Sequence, residues 1–193
     1  MSNLIDGVEI PPVRSLLRQW HKVHGPRRGN KLKCLILSRK IRSVLIHYHP
    51  ECKREFPHFV NRTCMFCERG WNPRWKGFAA ARWLHMASVF VLEITEGAAR
   101  RLAADELVRE RFRGREVHLS RSGDYVNSPV YPEVFRGVDE KLLLPEFDVM
   151  PSVLRVWQMN EKMLPVFEEE YPDKPGIFHG PEAPKKGQEG IAS

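Results

Sequence analysis

The polar segment formed by residues 50–73 limits what this chain can fold into more than any other feature of its sequence. It separates two apolar stretches and has no apolar periodicity of its own that would predict a helix or a strand. A structureless connection of this length inside a compact domain needs an organiser other than a hydrophobic core. Three of the four cysteines, Cys52, Cys64 and Cys67, lie in this segment, and they could organise it by binding a metal ion.

The spacing Cys64-Met-Phe-Cys67 predicts a metal site. Two thiolates with two residues between them can bind one tetrahedral ion from a tight turn, and zinc then needs two more nitrogen or sulfur ligands. The residues upstream offer a third cysteine and several histidines. We therefore predict one zinc ion with these ligands: Cys52, His58, Cys64 and Cys67, with His49 as the alternative to His58.

The choice between the histidines follows from the strand that precedes the segment. His47 and His49 share one face of that predicted strand. We expect their side chains to belong to the surface of that face and not to bind the metal, so His58 is preferred as the ligand. Four protein ligands would close the site, which indicates a structural zinc ion rather than a catalytic one. A redox-active Cys-x-x-Cys pair needs a helix that follows a strand, whereas Gly70 and Pro73 follow here.

Alternating apolar and polar residues predict several β-strands with a helix after the third. The predicted elements are strands over 41–48, 75–83 and 87–94, a helix over 96–111, and strands over 116–122 and 129–135. A helix between the third and fourth of five antiparallel strands is the order of an OB-fold, which binds oligonucleotides. We therefore predict a mainly β (α+β) fold: an OB-like five-stranded barrel with a zinc-binding loop and a C-terminal helix. The apolar run over 32–37 would be an extra strand, with Cys34 as a buried thiol.

Basic and aromatic residues interleave in segment 71–83, which reads WNPRWKGFAAARW. Cations neutralise phosphates and flat rings stack on unpaired bases, so this combination is typical of proteins that bind single-stranded nucleic acid. Trp75 and Phe78 have opposite parity on the predicted strand, so about half of the rings should lie in the core. With basic residues of the barrel face and a tyrosine at a loop tip, the candidate nucleic-acid-binding residues are Arg39, Lys40, Arg42, Trp71, Arg74, Trp75, Lys76, Phe78, Arg121 and Tyr125.

Charge divides the chain into two parts. Residues 1–136 contain 25 Lys and Arg against 13 Asp and Glu, whereas residues 137–193 contain 6 against 11. This asymmetry fits a basic binding domain whose acidic tail competes with, or is displaced by, a polyanion, and it fits equally a well-solvated surface with a solubilising tail. The predicted organisation is a basic N-terminal helix and arm (1–30), an OB-like nucleic-acid-binding domain (31–136) with its zinc loop (50–73), a C-terminal helical appendage (137–168) and a disordered tail (169–193).

A basic OB-fold with a zinc-bearing insertion that ends in Cys-x-x-Cys, followed by an acidic tail, resembles the helix-destabilising single-stranded DNA-binding proteins of T-even phages. The resemblance covers approximately residues 32–135 and rests on the organisation of the chain. It implies that three cysteines and one histidine hold the zinc ion. The family's histidine precedes its cysteines, which favours His49, whereas the spacing in this chain favours His58. No segment here matches the family's N-terminal cooperativity segment.

An enzymatic function is the main alternative. The pair His47-Tyr48-His49 resembles the metal-binding motif of HUH-type rolling-circle replication nucleases and relaxases, with Tyr125 or Tyr131 as the nucleophile. Alternate strand residues place both imidazoles on one face, where they could bind a divalent ion. However, no acidic third ligand, phosphate-binding glycine loop or nucleophile elbow is evident. We therefore predict a binding protein rather than an enzyme.

A protein-interaction adaptor is the third function that fits part of the sequence. The C-terminal helix, predicted over 149–163, carries Val153, Val156 and Trp157, which could contact a partner protein. Salt-sensitive binding of oligonucleotides would separate a nucleic-acid-binding protein from such an adaptor.

The chain has no run of about 18 apolar residues, which a membrane-spanning helix would need. Its first residues also lack the basic stretch and apolar block of a signal peptide. We therefore expect no membrane contact and a cytoplasmic location.

Overall fold

The computed structural model of the chain describes residues 4–5, 8–9, 21–59, 63–123, 128–159 and 161–165. Within them the protein is mainly β with short helices, as the alternating apolar pattern predicts. The strands are β1 (Leu4–Ile5), β2 (Val8–Glu9), β3 (Val23–His24), β4 (Leu32–Ile36), β5 (Arg42–His49), β6 (Arg54–Pro57), β7 (Arg74–Trp83), β8 (Val89–Thr95), β9 (Glu116–Arg121) and β10 (Val130–Phe135). The helices are α1 (Met65–Glu68), α2 (Glu96–Ala104), α3 (Glu106–Glu110) and α4 (Met150–Val156), with 3-10 turns at Glu140–Leu142 and Glu161–Met163.

Strand β7 is the centre of the main sheet. It pairs with β5 along its first half, with β4 at its last residues, and with β8 along the opposite edge. Strands β10, β9, β4, β7, β5 and β6 lie in that order, and β3 joins the outer edge of β8. All pairs in this sheet are antiparallel except β3–β8, so the eight described strands form a mixed sheet. Among the described strands, β1 and β2 pair with each other and form a separate two-stranded sheet.

The OB-like five-stranded barrel is not confirmed, although its expected order of strands and helices is present. Strand β4 inserts between β7 and β9, so the β9–β10 hairpin reaches the rest of the sheet only through β4. Strand β8 pairs with β7 and β3 rather than with β10. Among the residues that the structure describes, the sheet therefore stays open.

Small residues let β7 lie between two layers of side chains. Ala79, Ala80 and Ala81 are fully buried. A Cβ atom at Gly77 would lie 2.3 Å from Trp75 Cη2 and 2.5 Å from Ile41 Cγ2, so only glycine permits this close approach.

Helices α2 and α3 cover one face of the sheet. Ala98, Ala99 and Leu102 of α2 are buried against apolar residues of β4, β7, β8 and β9. The sequence predicts one helix over 96–111, but Asp105 divides it because its backbone is extended. The Asp105 carboxylate instead accepts hydrogen bonds from the Leu107 and Val108 backbone N–H groups, at 2.9 and 3.3 Å, and begins a second helix.

The C-terminal segment covers the opposite face. Its buried apolar residues are Leu144, Phe147, Val149, Met150, Val153 and Leu154, and they pack on apolar side chains of β5, β7 and β8. Helix α4 is shorter than predicted: it ends at Val156, and Gln158 follows in the left-handed region with φ of 58°. The segment that the sequence presents as an appendage is thus part of the sheet's packing. Val153 and Trp157, the expected contacts for a partner, face the sheet, where the Trp157 ring lies 5.9 Å from that of Phe78.

Two further predictions fall outside the described residues. The N-terminal helix was expected over 13–21, of which only His21 is described, and the tail over 169–193 lies wholly outside. In the expected N-terminal arm the structure places β3, which pairs with β8. Across the described part of the chain, no helix is long and apolar enough to cross a membrane.

Candidate metal centre and its surroundings

Four side chains from three parts of the fold meet at the end of the β5–β6 hairpin. They are His47 on β5, His58 just after β6, and Cys64 and Cys67 at α1. The His58 backbone N–H donates to the Leu45 carbonyl at 2.8 Å, which holds this histidine beside β5. One ligand atom of each side chain lies within 4.8 Å of all the others, so the group can hold a metal ion.

The distances within this group are close to those around a single tetrahedral ion, and the two histidine nitrogens lie slightly nearer to each other than such an ion would set them. His47 Nε2 lies 3.3 Å from Cys64 Sγ, 3.6 Å from Cys67 Sγ and 3.1 Å from His58 Nδ1. Metal bonds of about 2.3 Å to sulfur and 2.0–2.1 Å to nitrogen would separate the ligand atoms by about 3.3–3.8 Å. One imidazole nitrogen makes only one hydrogen bond, so hydrogen bonding at His47 Nε2 cannot account for all three close ligand atoms. A central cation would contact all four atoms.

The local sequence explains how the two thiols come together. Cys64 precedes the four-residue helix α1, and its carbonyl accepts a hydrogen bond from the Glu68 N–H at 3.1 Å. Gly70 ends this turn in the left-handed region, with φ of 77°, and its N–H donates to the Cys67 carbonyl at 2.9 Å. The turn therefore places both sulfurs on the side of His47.

The surroundings of the group disfavour charge on two of its members, His47 and Cys67. Burial lowers the pKa of His47, and the nearby His58 lowers it further, so the imidazole is neutral and its nitrogen can bind a metal. Burial also raises the pKa of the Cys67 thiol, and the adjacent Cys64 adds to that effect. Two thiolates side by side would repel each other unless a cation lay between them, and a bound metal removes this cost.

The structure brings together three of the four residues that the sequence predicted as ligands. His58, Cys64 and Cys67 are in the group, but the fourth member is His47 rather than Cys52. Cys52 is exposed in the β5–β6 turn, and its backbone N–H donates to His49 Nδ1 at 3.4 Å. His49, the alternative ligand, is also outside the group.

Thiol reactivity should distinguish these two ligand sets. With zinc bound, Cys52 should be the only cysteine that reacts rapidly with a thiol reagent, because Cys64 and Cys67 are ligands. Chelation should expose those two thiols. Cys34 should react only after unfolding, since burial raises the pKa of its thiol. Protection of Cys52 by zinc, measured by mass spectrometry of alkylated peptides, would contradict the His47-containing set.

An aromatic cluster lies against the metal centre. The Phe66 ring, between the two cysteines, lies 5.2 Å from that of His47 and 5.4 Å from that of Phe56. Its plane is within 13° of the Trp71 ring, at 5.7 Å, and the His49 ring meets Trp71 edge-on at 5.1 Å. The position of Trp71 therefore depends on the segment that carries the cysteines.

Several candidate nucleic-acid-binding residues have structural roles instead. Trp75 and Phe78 are 7% and 2% exposed, on opposite faces of β7, and neither ring can stack on a ligand. Lys76 makes ion pairs with Glu55 and Glu93, so its charge is compensated. Arg121 donates from Nε to the Pro26 carbonyl and from Nη1 to the Ser128 carbonyl, both at 3.1 Å.

The remaining candidates lie near the two ends of β5. Arg39, Lys40 and Arg42 lie at its start, where Lys40 and Arg42 line a cavity of about 400 Å³ together with acidic Glu146 and Asp148. Trp71 and Arg74 lie near its other end, beside the metal centre, and line a cavity of about 320 Å³ with Tyr48, Pro50 and Asn72. Tyr125 lies outside the described residues.

The histidine pair proposed for a nuclease is divided between two environments. His47 contacts the thiols, whereas His49 packs among Phe56, Phe66 and Trp71. Tyr131 lies on β10 with the Arg101 guanidinium 4.5 Å from its ring centre. The described geometry therefore offers no single site that joins both histidines to one ion.

No family model, curated protein or solved structure matches this chain. The resemblance to the T-even phage proteins stays a prediction. The side chains described above are therefore the basis for a functional assignment.

Proposed function

We propose that this chain is a zinc-stabilised protein that binds single-stranded nucleic acid, DNA or RNA, without strong sequence preference. The observation that carries the proposal is the group of two histidines and two cysteines, set against an aromatic and basic surface at the end of the β5–β6 hairpin.

The ligand types support zinc as the ion. Two thiolates and two imidazoles in a tetrahedral arrangement suit zinc, and harder ions such as magnesium and calcium prefer oxygen ligands. Four protein ligands leave no open position for a substrate, so the ion's role is structural. It would fasten α1 to the β5–β6 hairpin.

The neighbouring side chains support nucleic acid as the ligand. Tyr48 and Trp71 offer ring surface, while Lys53, Arg54 and Arg74 offer positive charge in the same region. Rings stack on unpaired bases and cations neutralise phosphates, and a non-specific single-strand binder needs both. The excess of Lys and Arg in residues 1–136 would add long-range attraction for a polyanion.

Binding titrations should test this function directly. Single-stranded DNA and RNA should bind the zinc-loaded protein more tightly than duplex of the same sequence, and affinity should fall as salt rises. The slope of log affinity against log salt should be about 0.7 per neutralised phosphate. Arg74→Gln should lower the slope, whereas Arg109→Gln, which removes an exposed charge that lines neither cavity beside Tyr48, should leave it almost unchanged.

Equal, weak binding to single strand, duplex and heparin would overturn the proposal. It would mean that the basic surface attracts any polyanion and selects none of them.

A further inference from the structure

Two cavities meet at Tyr48, a residue that the sequence did not single out as a binding residue. One, of about 320 Å³, is lined by Tyr48, Pro50, Trp71, Asn72 and Arg74. The other, of about 260 Å³, is lined by Tyr48, by Lys53 and the first residues of β6, and by the end of α4 with the two residues that follow it. Tyr48 remains 47% exposed between them. An aromatic side chain is thus available to a ligand from both sides.

Trp71 provides a fixed ring at the first cavity. It stacks on Phe66, and the edge of His49 meets it, while its backbone N–H donates to the Phe66 carbonyl at 3.0 Å. A ring that is already held in place loses little conformational freedom when a ligand stacks on it. The first cavity therefore combines an exposed aromatic side chain, Tyr48, with one that its neighbours hold in place, Trp71.

Charge excludes one alternative class of ligand. Aromatic residues can also form a cage for an ammonium cation, but such a cation would meet Arg74 in the first cavity and Lys53 and Arg54 in the second. Among the described residues that line the two cavities, the one acidic side chain is Glu55, which is paired with Lys76. The surroundings of Tyr48 therefore favour a ligand that carries negative charge.

We propose that Tyr48 and Trp71 form a subsite for one unpaired base of a single strand. Arg74 on one side and Lys53 on the other contact the flanking phosphates. A volume of about 320 Å³ is at the lower end of ligand sites, which span about 300–1,000 Å³, and suits one base better than a base pair. This inference rests on the proposed single-strand binding and names the residues that carry it.

Replacing Tyr48 with Ala should weaken binding of a single-stranded oligonucleotide roughly 5- to 150-fold, the range for loss of one base–aromatic stack, with the salt slope unchanged. Tyr48→Phe keeps the ring and should bind like the wild-type protein. Tyr131→Ala is the matched control, because Tyr131 is similarly exposed, at 44%, but lies on β10 outside both cavities. Zinc content and thermal melting should show that each variant is folded.

A second measurement needs no variant. An oligonucleotide that contains 5-iodouracil should crosslink on irradiation to peptides that contain Tyr48 or Trp71 of the wild-type protein. Binding by the wild-type protein with no effect of Tyr48→Ala and crosslinks only elsewhere would overturn the subsite and leave the proposed function standing. Absence of single-strand binding by the wild-type protein would overturn both.

Discussion

Replacing Cys64 with Ser should reduce the zinc content of the purified protein from near one ion per chain to near zero. Cys64 Sγ is 3.3 Å from His47 Nε2, so its loss removes one of four ligands of a closed site. Without the metal, α1 is a single turn with no buried residue, and the contacts of the half-buried Phe66 ring with Phe56 and Trp71 are left to hold it. Metal analysis should report the zinc loss, and limited proteolysis should show cleavage between β6 and β7.

The same change should lower thermal stability. An ion present at 1,000 times its dissociation constant stabilises the folded state by about 4 kcal/mol. For a chain of this size that corresponds to a fall in Tm of roughly 8–16 °C. His47→Ala should cause a similar loss of zinc and stability.

Cys52→Ser is the matched control for these two variants. Cys52 is an exposed cysteine in the same region but outside the group of four, so zinc content and Tm should not change. If Cys52→Ser loses zinc while His47→Ala retains it, the ligand set inferred from the structure is incorrect and the set predicted from the sequence is favoured.

Ending the chain at Gly137 should prevent folding rather than tighten nucleic-acid binding. The acidic C-terminal part was expected to compete with a polyanion, but its first half packs on the sheet through six buried apolar residues. Each such side chain contributes about 1.5–3 kcal/mol when buried. Their joint loss is comparable to the whole stability of a typical domain, about 5–15 kcal/mol. Circular dichroism and expression in the soluble fraction would report the outcome.

Point variants in α4 should show that buried apolar side chains of this helix stabilise the fold. Leu154→Ala removes a fully buried side chain and should cost about 2–5 kcal/mol in unfolding free energy. Val156→Ala, on the same helix but 58% exposed, should change it by less than about 0.5 kcal/mol. A truncated chain that stays folded and binds oligonucleotides more tightly would show instead that the segment shields the basic surface.

Strands in which apolar and polar residues alternate strongly could be predicted from the sequence. Strands in which this alternation is weak could not. Strand β5 lies within one residue of its predicted ends, because alternate apolar residues fix which face is buried. Strand β6 was predicted as loop, since Arg-Glu-Phe-Pro has little apolar character and only its pairing with β5 makes it a strand. The open sheet depends on the insertion of β4, which is a long-range contact with no local pattern.

The ligands of the candidate metal site also differ in whether the sequence could predict them. Cys64 and Cys67 could be predicted because two-residue spacing is a local property. His47 could not be predicted as a ligand, because only the β5–β6 pairing brings it beside His58. A prediction of that hairpin around residues 50–53 would have identified the pair.

The aromatic residues of β7 show a second limit of sequence analysis, which is the prediction of which side chains are exposed. Parity arguments assume that one face of a strand meets solvent, and both faces of β7 are covered at Trp75 and Phe78. The two layers that cover them come from residues 96–112 and 144–157, which no local pattern connects to β7. Tyr48 was missed for the opposite reason, because it is an exposed residue in a strand whose other residues are buried or half-buried.

The most direct test of the link between the metal centre and single-strand binding is a titration of one oligonucleotide in three states of the protein: zinc-loaded, zinc-free and reloaded with zinc. Because Phe66 in α1 holds the Trp71 ring, removal of zinc should weaken single-strand binding about tenfold or more, and zinc should restore it. Binding of equal strength in the zinc-loaded and zinc-free states, with zinc removal confirmed by metal analysis, would contradict the account.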